Sequence, residues 1–254
     1  MPPIENYEVY TAGMEKSMED KLFWLDKIPK EEYSTVIDYG CADGIFLKKV
    51  REYNHDCFLC GIDIDDWMLQ EARKKVGSNA VFMHEGMLSQ PSHLTGDVLN
   101  LSSVLHEIYS YKTNREICKF WDYVRGHKYV CIRDMCYDSK RLYDMYVSEL
   151  QYKDDAEKQR RTEFESIWGK IDDPLAFVHY MLKYRYVENW DREVKENYLS
   201  IDVDLLHYCA DQFHYDIVYE DHYTLPFLKE QVEKDWGYEL TVPTHIKMIW
   251  KRKD

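Results

Sequence analysis

Positive charge is in short supply in this chain: 33 Lys and Arg stand against 47 Asp and Glu in 254 residues, a formal charge of -14. That deficit removes long-range attraction to phosphate backbones, so a nucleic-acid binder with a broad basic face is not expected. The one dense basic run, Lys158-Gln159-Arg160-Arg161, reads as the solvated face of a charged helix. Cysteine is scarce too. Seven scattered residues, an odd count, exclude a disulfide scaffold and point to the reducing cytoplasm. Cys57 and Cys60 have C-x-x-C spacing, but on a strand they would face opposite sides, so neither metal nor redox chemistry follows. No apolar run approaches the roughly 20 residues of a membrane span, and Met1-Pro2-Pro3 leads into polar sequence and not into a signal peptide. A soluble, cytoplasmic protein is expected. Internal repeats, a Gly-x-Ser-x-Gly elbow, a Walker loop and a metal-type histidine spacing are also missing, and no metal is expected.

Against those absences stands one informative segment, Val36-Ile37-Asp38-Tyr39-Gly40-Cys41-Ala42-Asp43-Gly44, followed nineteen residues after Gly44 by the acid of Cys60-Gly61-Ile62-Asp63. It reads as an apolar strand, a tight turn, a helix start and a second strand ending in a carboxylate. Small residues at such a turn let backbone N–H groups approach a ligand at a helix N-terminus, and an acid about 20 residues on can accept bonds from two ribose hydroxyls. A nucleoside-containing cofactor follows. The dinucleotide pattern Gly-x-Gly-x-x-Gly is not present, and Asp38 before the turn would repel a pyrophosphate while suiting a cationic amino-acid end.

The segment resembles motif I of the class I S-adenosylmethionine-dependent methyltransferases, with Ala42 in place of the middle glycine. The resemblance runs on in order: residues 57–63 as the second strand, 65–76 as a helix, 97–107 as the fourth strand and the loop beneath the methyl group, 128–135 as the fifth strand and 244–251 as the last, antiparallel one. It implies an α/β, Rossmann-like, mostly parallel seven-stranded sheet with helices on both faces. It also implies S-adenosylmethionine as cofactor, held by Asp38, Gly40, Cys41, Ala42, Gly44, Asp63, Ile64, Gly86, Met87, Ser102 and Ser103. An acid recognising adenine after the third strand is not evident in His84-Glu85-Gly86-Met87, where Glu85 is the available substitute.

The periodicity fills in the rest. Met14, Met18, Leu22 and Leu25 predict an amphipathic helix over 13–28, stopped by Pro29, within an N-terminal helical segment 1–33. Helices are also predicted over 45–53 and 67–76, alternating with short apolar strands. Residues 138–200 hold one Gly and one Pro, many Tyr, Glu, Lys and Arg, and helical spacings such as Leu142, Tyr146, Leu150 and Trp190, Val194, Tyr198. A stretch of that length is too long for a loop and predicts a helical cap inserted into a core of 34–137 and 201–254.

Methyl transfer from a sulfonium gains most from alignment and exclusion of water, and needs a base only when the acceptor's proton has a pKa well above 7. His106 is the first candidate for that base or for orienting the acceptor, with Glu107 and Asp134 beside it, and with Arg133 and Tyr137 as further polar groups. Helix capping and ion pairing would also account for these residues. The expected activity is methyl transfer to a small molecule, since the charge argues against polyanions and an aromatic cap suits an enclosed pocket. RNA or protein acceptors, a catalytically silent cofactor-binding module and, least favoured, a nicotinamide oxidoreductase are the alternatives.

Overall fold

A computed structural model of the chain describes residues 17–78, 80–87, 94–143, 145, 147 and 150–254. Seven strands form one sheet: Thr35–Tyr39 (β1), Phe58–Asp63 (β2), Ala80–His84 (β3), Val98–Ser102 (β4), Tyr129–Met135 (β5), Tyr215–Tyr223 (β6) and His245–Arg252 (β7). Their order is β3-β2-β1-β4-β5-β7-β6, parallel except that β7 runs antiparallel to both β5 and β6. The order reverses at β1 and β4, and ligands bind at the carboxyl ends of strands beside such a switch.

Strand alternation sorts the core into two layers. Ile37, Cys60, Ile62, Leu99, Leu101, Val130 and Ile132 face one side, where Leu105–Tyr111 (α4), Asn114–Val124 (α5) and Val203–Gln212 (α10) pack. Val36, Leu59, Val98 and Cys131 face the other, beneath Ile45–Tyr53 (α2), Asp66–Val76 (α3) and the N-terminal segment. Each such aliphatic side chain, fully buried, contributes about 1.5–3 kcal/mol. Cys57 and Cys60 fall in opposite layers, and all seven cysteines are free. Among the described residues no helix is long and apolar enough to cross a membrane.

The N-terminal segment departs from the helix expected over 13–28. Its described part holds one helical turn, Met18–Lys21 (α1), then tighter turns in which the Leu25 amide bonds to the Leu22 carbonyl and the Lys27 amide to that of Trp24, both at 3.0 Å. Trp24, Leu25 and Ile28 are all buried, and Trp24 Nε1 donates to Asn100 Oδ1 at 3.2 Å. Residues 13–16, with Met14, lie outside the described residues.

The segment 138–200 holds Ser139–Tyr143 (α6), Asp155–Trp168 (α7), Pro174–Lys183 (α8) and the short Trp190–Glu193 (α9). It leaves and rejoins the sheet region at one place, because Tyr137 and Asp202 form a parallel bridge. Phe164, Phe177, Tyr180 and Met181 pack in a third apolar cluster that also takes in Leu225, Leu240 and two side chains of Pro226–Trp236 (α11), Leu228 and Val232. The layer is therefore closed partly by chain after β6, which the inserted-cap boundaries did not include. The expected helical run through Trp190, Val194 and Tyr198 stops after Glu193, although all three are buried. The buried Lys183 ammonium takes the carbonyls of Glu193, at 2.5 Å, and of Glu196, drawing both from the helical pattern. Tyr146 of the other expected stripe lies outside the described residues.

Candidate active site

The turn after β1 is held by backbone geometry that only small residues permit. Gly40 has φ +77°, and a Cβ there would lie 2.8 Å from Val104 Cγ2. Gly44 (φ +75°) allows α2 to approach α3, where a Cβ would lie 2.9 Å from Val76 and 3.0 Å from Ala72. Ala42 also adopts the left-handed region, at φ +45°. Such a residue costs about 1–2 kcal/mol, and its amide donates to Asp63 Oδ2 at 2.7 Å, which offsets the strain. Asp63 Oδ1 takes the Asp65 amide at 2.9 Å, and Asp65 in turn caps α3 through Trp67 and Met68. Burial raises the Asp63 pKa against the pull of these amides. Each carboxylate oxygen retains a further lone pair, so Asp63 braces the turn and can still accept a ligand hydroxyl.

Over this turn opens a cavity of about 530 Å³. Gly40, Ala42, Asp63, Ile64 and Ser103 line it; Asp38, Cys41, Gly44 and Ser102 are buried and do not. Gly86 and Met87 are not brought to it: the Gly86 amide donates to His84 Nδ1 at 3.0 Å, and Met87 is 68% exposed. Glu85 does line it, accepting from Tyr39 Oη at 2.5 Å and Lys112 Nζ at 2.6 Å. Six acids (Asp63, Asp65, Asp66, Glu85, Glu107, Glu116) and two cations (Lys112, Arg192) share the lining.

The far wall is built on Asp134 at the end of β5. Its Oδ2 accepts the amides of Val104 (2.8 Å) and Leu105 (2.7 Å), which start α4, and its Oδ1 accepts from Met135 N (2.8 Å) and pairs with His106 Nδ1 (2.7 Å). Burial disfavours charge on His106, but Asp134, Glu196 and Glu107 outweigh it and push the pKa up to about 9. That raised pKa favours the protonated imidazole, which suits the orienting role expected of His106 more than that of a base. Of the three residues expected to be catalytic, Glu107 alone lines the cavity. Burial, then Glu196, push Glu107 up to about 7 against the pull of Arg192 and His106.

Arg192, from α9, joins this wall to the inserted segment. It donates to Glu107 Oε1 at 2.6 Å and Glu196 Oε1 at 2.8 Å, while Tyr111 Oη donates to Glu196 Oε1 at 3.1 Å. His106, Glu107 and Glu196 offer ligand atoms within 4.8 Å of one another, a grouping that the spacing along the chain did not reveal. The Arg192 guanidinium supplies positive charge to both carboxylates, so a divalent ion would have to displace it. Arg192, Tyr111 and Glu196 were not singled out in the sequence. The readable signal was the i,i+4 pair Arg192/Glu196; nothing marked the pairing of Arg192 with Glu107, 85 residues earlier. Arg133 Nε and Nη1 are held by Asp20 (2.7 Å) and Ser103 Oγ (2.8 Å), and Tyr137 sits at the base of the insertion.

Strand order, the antiparallel β7 and the glycine turn at the switch point make this the fold of the class I S-adenosylmethionine-dependent methyltransferases. Solved structures with the same fold include an O-methyltransferase family protein from Burkholderia thailandensis (TM-score 0.56, 12% identity, 97% of this chain and 59% of that one). Magnesium protoporphyrin IX methyltransferase from Synechocystis PCC 6803 with bound SAH is similar over 100% of this chain and 90% of its own (TM-score 0.53, 12% identity). The methyltransferase domain of bacterial CtHen1-C matches over 94% and 99% (TM-score 0.53, 9% identity). No family model and no curated protein matches the sequence.

Proposed function

We propose that the chain is an S-adenosylmethionine-dependent methyltransferase acting on a small molecule in the cytoplasm. The observation that carries this reading is one cavity bounded on one side by the left-handed turn and Asp63 and on the other by Glu107 and Arg192. The residues fit the donor. Backbone at Gly40 and Ala42 can approach it closely, Asp63 can accept from ribose, and a lining of six acids against two cations suits a sulfonium and an ammonium while opposing a pyrophosphate. When bound, the donor supplies an activated methyl group.

The chain's own residues would then orient the acceptor and manage its proton. Glu107 titrates near neutrality and faces the cavity, so it can take a proton from an acceptor hydroxyl or ammonium. Arg192 fixes the carboxylate, and His106, held by Asp134, keeps a positive charge behind it. In this reading residues 138–200 are the acceptor cap and contribute Arg192 to the wall. RNA is disfavoured as acceptor by the state of the basic run: Arg161 is buried, with Nε on Glu157 at 2.7 Å and its other nitrogens on the Leu150 and Gln151 carbonyls.

Calorimetric titration with S-adenosylmethionine, S-adenosylhomocysteine and NAD tests the donor, with binding of the first two expected. Methyl-labelled donor offered with small-molecule, protein and RNA fractions of a lysate tests the acceptor, with label expected in the small-molecule fraction. Binding of NAD alone overturns the reading. Donor binding with no transfer to any fraction favours a silent module.

A further inference from the structure

The cavity keeps an excess of negative charge even with the proposed donor inside it. Six carboxylates line it against two cations, and the donor, with its sulfonium, ammonium and carboxylate, brings a single net positive charge. The acceptor therefore meets a wall that is still acidic, and a walled cleft of one sign concentrates ligands of the other. Neither cation is left over to reverse that preference: Lys112 Nζ donates to Glu85 Oε2 at 2.6 Å, and Arg192 donates to Glu107 Oε1 and Glu196 Oε1. An acceptor bearing a carboxylate or phosphate would have to compete with those three side chains.

What the wall offers instead is an open carboxylate oxygen and aromatic rings. Glu107 Oε1 takes Arg192, while Glu107 Oε2 accepts no hydrogen bond from any described residue. Tyr39, Trp67 and Tyr111 line the same cavity. Tyr111 is fixed there, because its Oη donates to Glu196 Oε1 at 3.1 Å. Rings set among carboxylates favour an ammonium ion, which both attract.

Resting on the proposed donor and on Glu107 as the acceptor's base, we infer that the acceptor is a small cationic amine, primary or secondary, whose nitrogen receives the methyl group. The ammonium enters paired with Glu107 Oε2. An ammonium held near a second positive charge gives up its proton more readily, and Glu107, pushed up to about 7, takes it. The freed nitrogen lone pair forms the N–C bond while the C–S bond breaks and its electrons stay on sulfur. The products are a methylated ammonium, S-adenosylhomocysteine and a protonated Glu107, which returns its proton to water.

The test divides the small-molecule fraction of a lysate on a cation exchanger at pH 7 and offers each part to the full chain with methyl-labelled S-adenosylmethionine. The retained, cationic part should take at least about ten times the label of the part that passes through. Acetic anhydride in water followed by hydroxylamine converts primary and secondary amines to amides and leaves hydroxyls free, so this treatment of the retained part should abolish transfer. Label taken chiefly by the unretained part, or undiminished by acetylation, would overturn the inference and leave the methyltransferase reading standing. No label in either part would overturn that reading, and this inference with it.

Discussion

The two walls of the cavity are built by different physics. On the donor side the chain meets itself over short distances and mostly through backbone: the Ala42 amide reaches a carboxylate 21 positions on, and Gly40 and Cys41 share the Ile62 carbonyl. On the other side, charged side chains from three distant segments converge, with Glu107 and Arg192 85 positions apart. The first wall rests on turns that admit few residues, at Gly40, Ala42 and Gly44. The second is held by buried charges whose worth depends on every partner being present. The contrast predicts separable effects on function: damage to the donor wall should show in ligand affinity, and damage to the other in turnover, with the larger loss of stability on the second side.

The largest effect is expected at Asp134. Asp134→Ala leaves the Val104, Leu105 and Met135 amides and the His106 cation without their acceptor, and should lower unfolding free energy by about 3–5 kcal/mol in urea titration. A loss below about 1 kcal/mol would make the network a surface-like set of ion pairs.

Asp63→Ala should act on both quantities. Removing the ribose bonds proposed for it should weaken S-adenosylhomocysteine by about 1.5–3 kcal/mol, and orphaning the Ala42 and Asp65 amides should cost another 1–3 kcal/mol of stability. Unchanged affinity in a folded variant would reduce Asp63 to a brace.

These residues also mark what was legible beforehand. The strands and the turn could be read because alternation, Gly40, Gly44 and the spacing to Asp63 are local patterns with local causes, while the mostly parallel sheet with its antiparallel last strand came from the resemblance. That Asp63 braces the turn could not, since the need for it arises only when Ala42 is seen in the left-handed region. His106 and Glu107 were placed correctly beside the fourth strand, but their protonation depends on Asp134, Glu196 and Arg192, brought in by the fold. The N-terminal stripe Met14, Met18, Leu22 and Leu25 looked helical, but the described part holds one helical turn followed by tighter turns, with Trp24 bonded to the distant Asn100, a contact no local pattern announces.

The pH profile sharpens the comparison at smaller scale. If Glu107 must be ionised to take a proton, kcat/KM should rise with pH through about 7. His106 has a folded pKa raised to about 9, so its stabilising charge is fully present below about 6.5 and is lost as pH rises through about 9. Activity and urea midpoint should therefore fall together on the alkaline limb, while S-adenosylhomocysteine affinity changes little there. Smallest of all, Ala42→Gly should relieve the left-handed strain and raise stability by about 0.5–1 kcal/mol in the same titration, with donor affinity unaltered. A loss of stability would mean that the alanine methyl packs usefully at that turn.

The division of labour between the walls is tested most directly by crossing one conservative substitution from each, Asp63→Asn and Glu107→Gln, and measuring S-adenosylhomocysteine affinity and methyl transfer for both. The account predicts that Asp63→Asn weakens binding about tenfold or more, while Glu107→Gln binds within about twofold of wild type and loses about 10²–10⁴ in rate. A Glu107→Gln protein that loses donor affinity as steeply as Asp63→Asn, or transfers methyl groups at the wild-type rate, would contradict it.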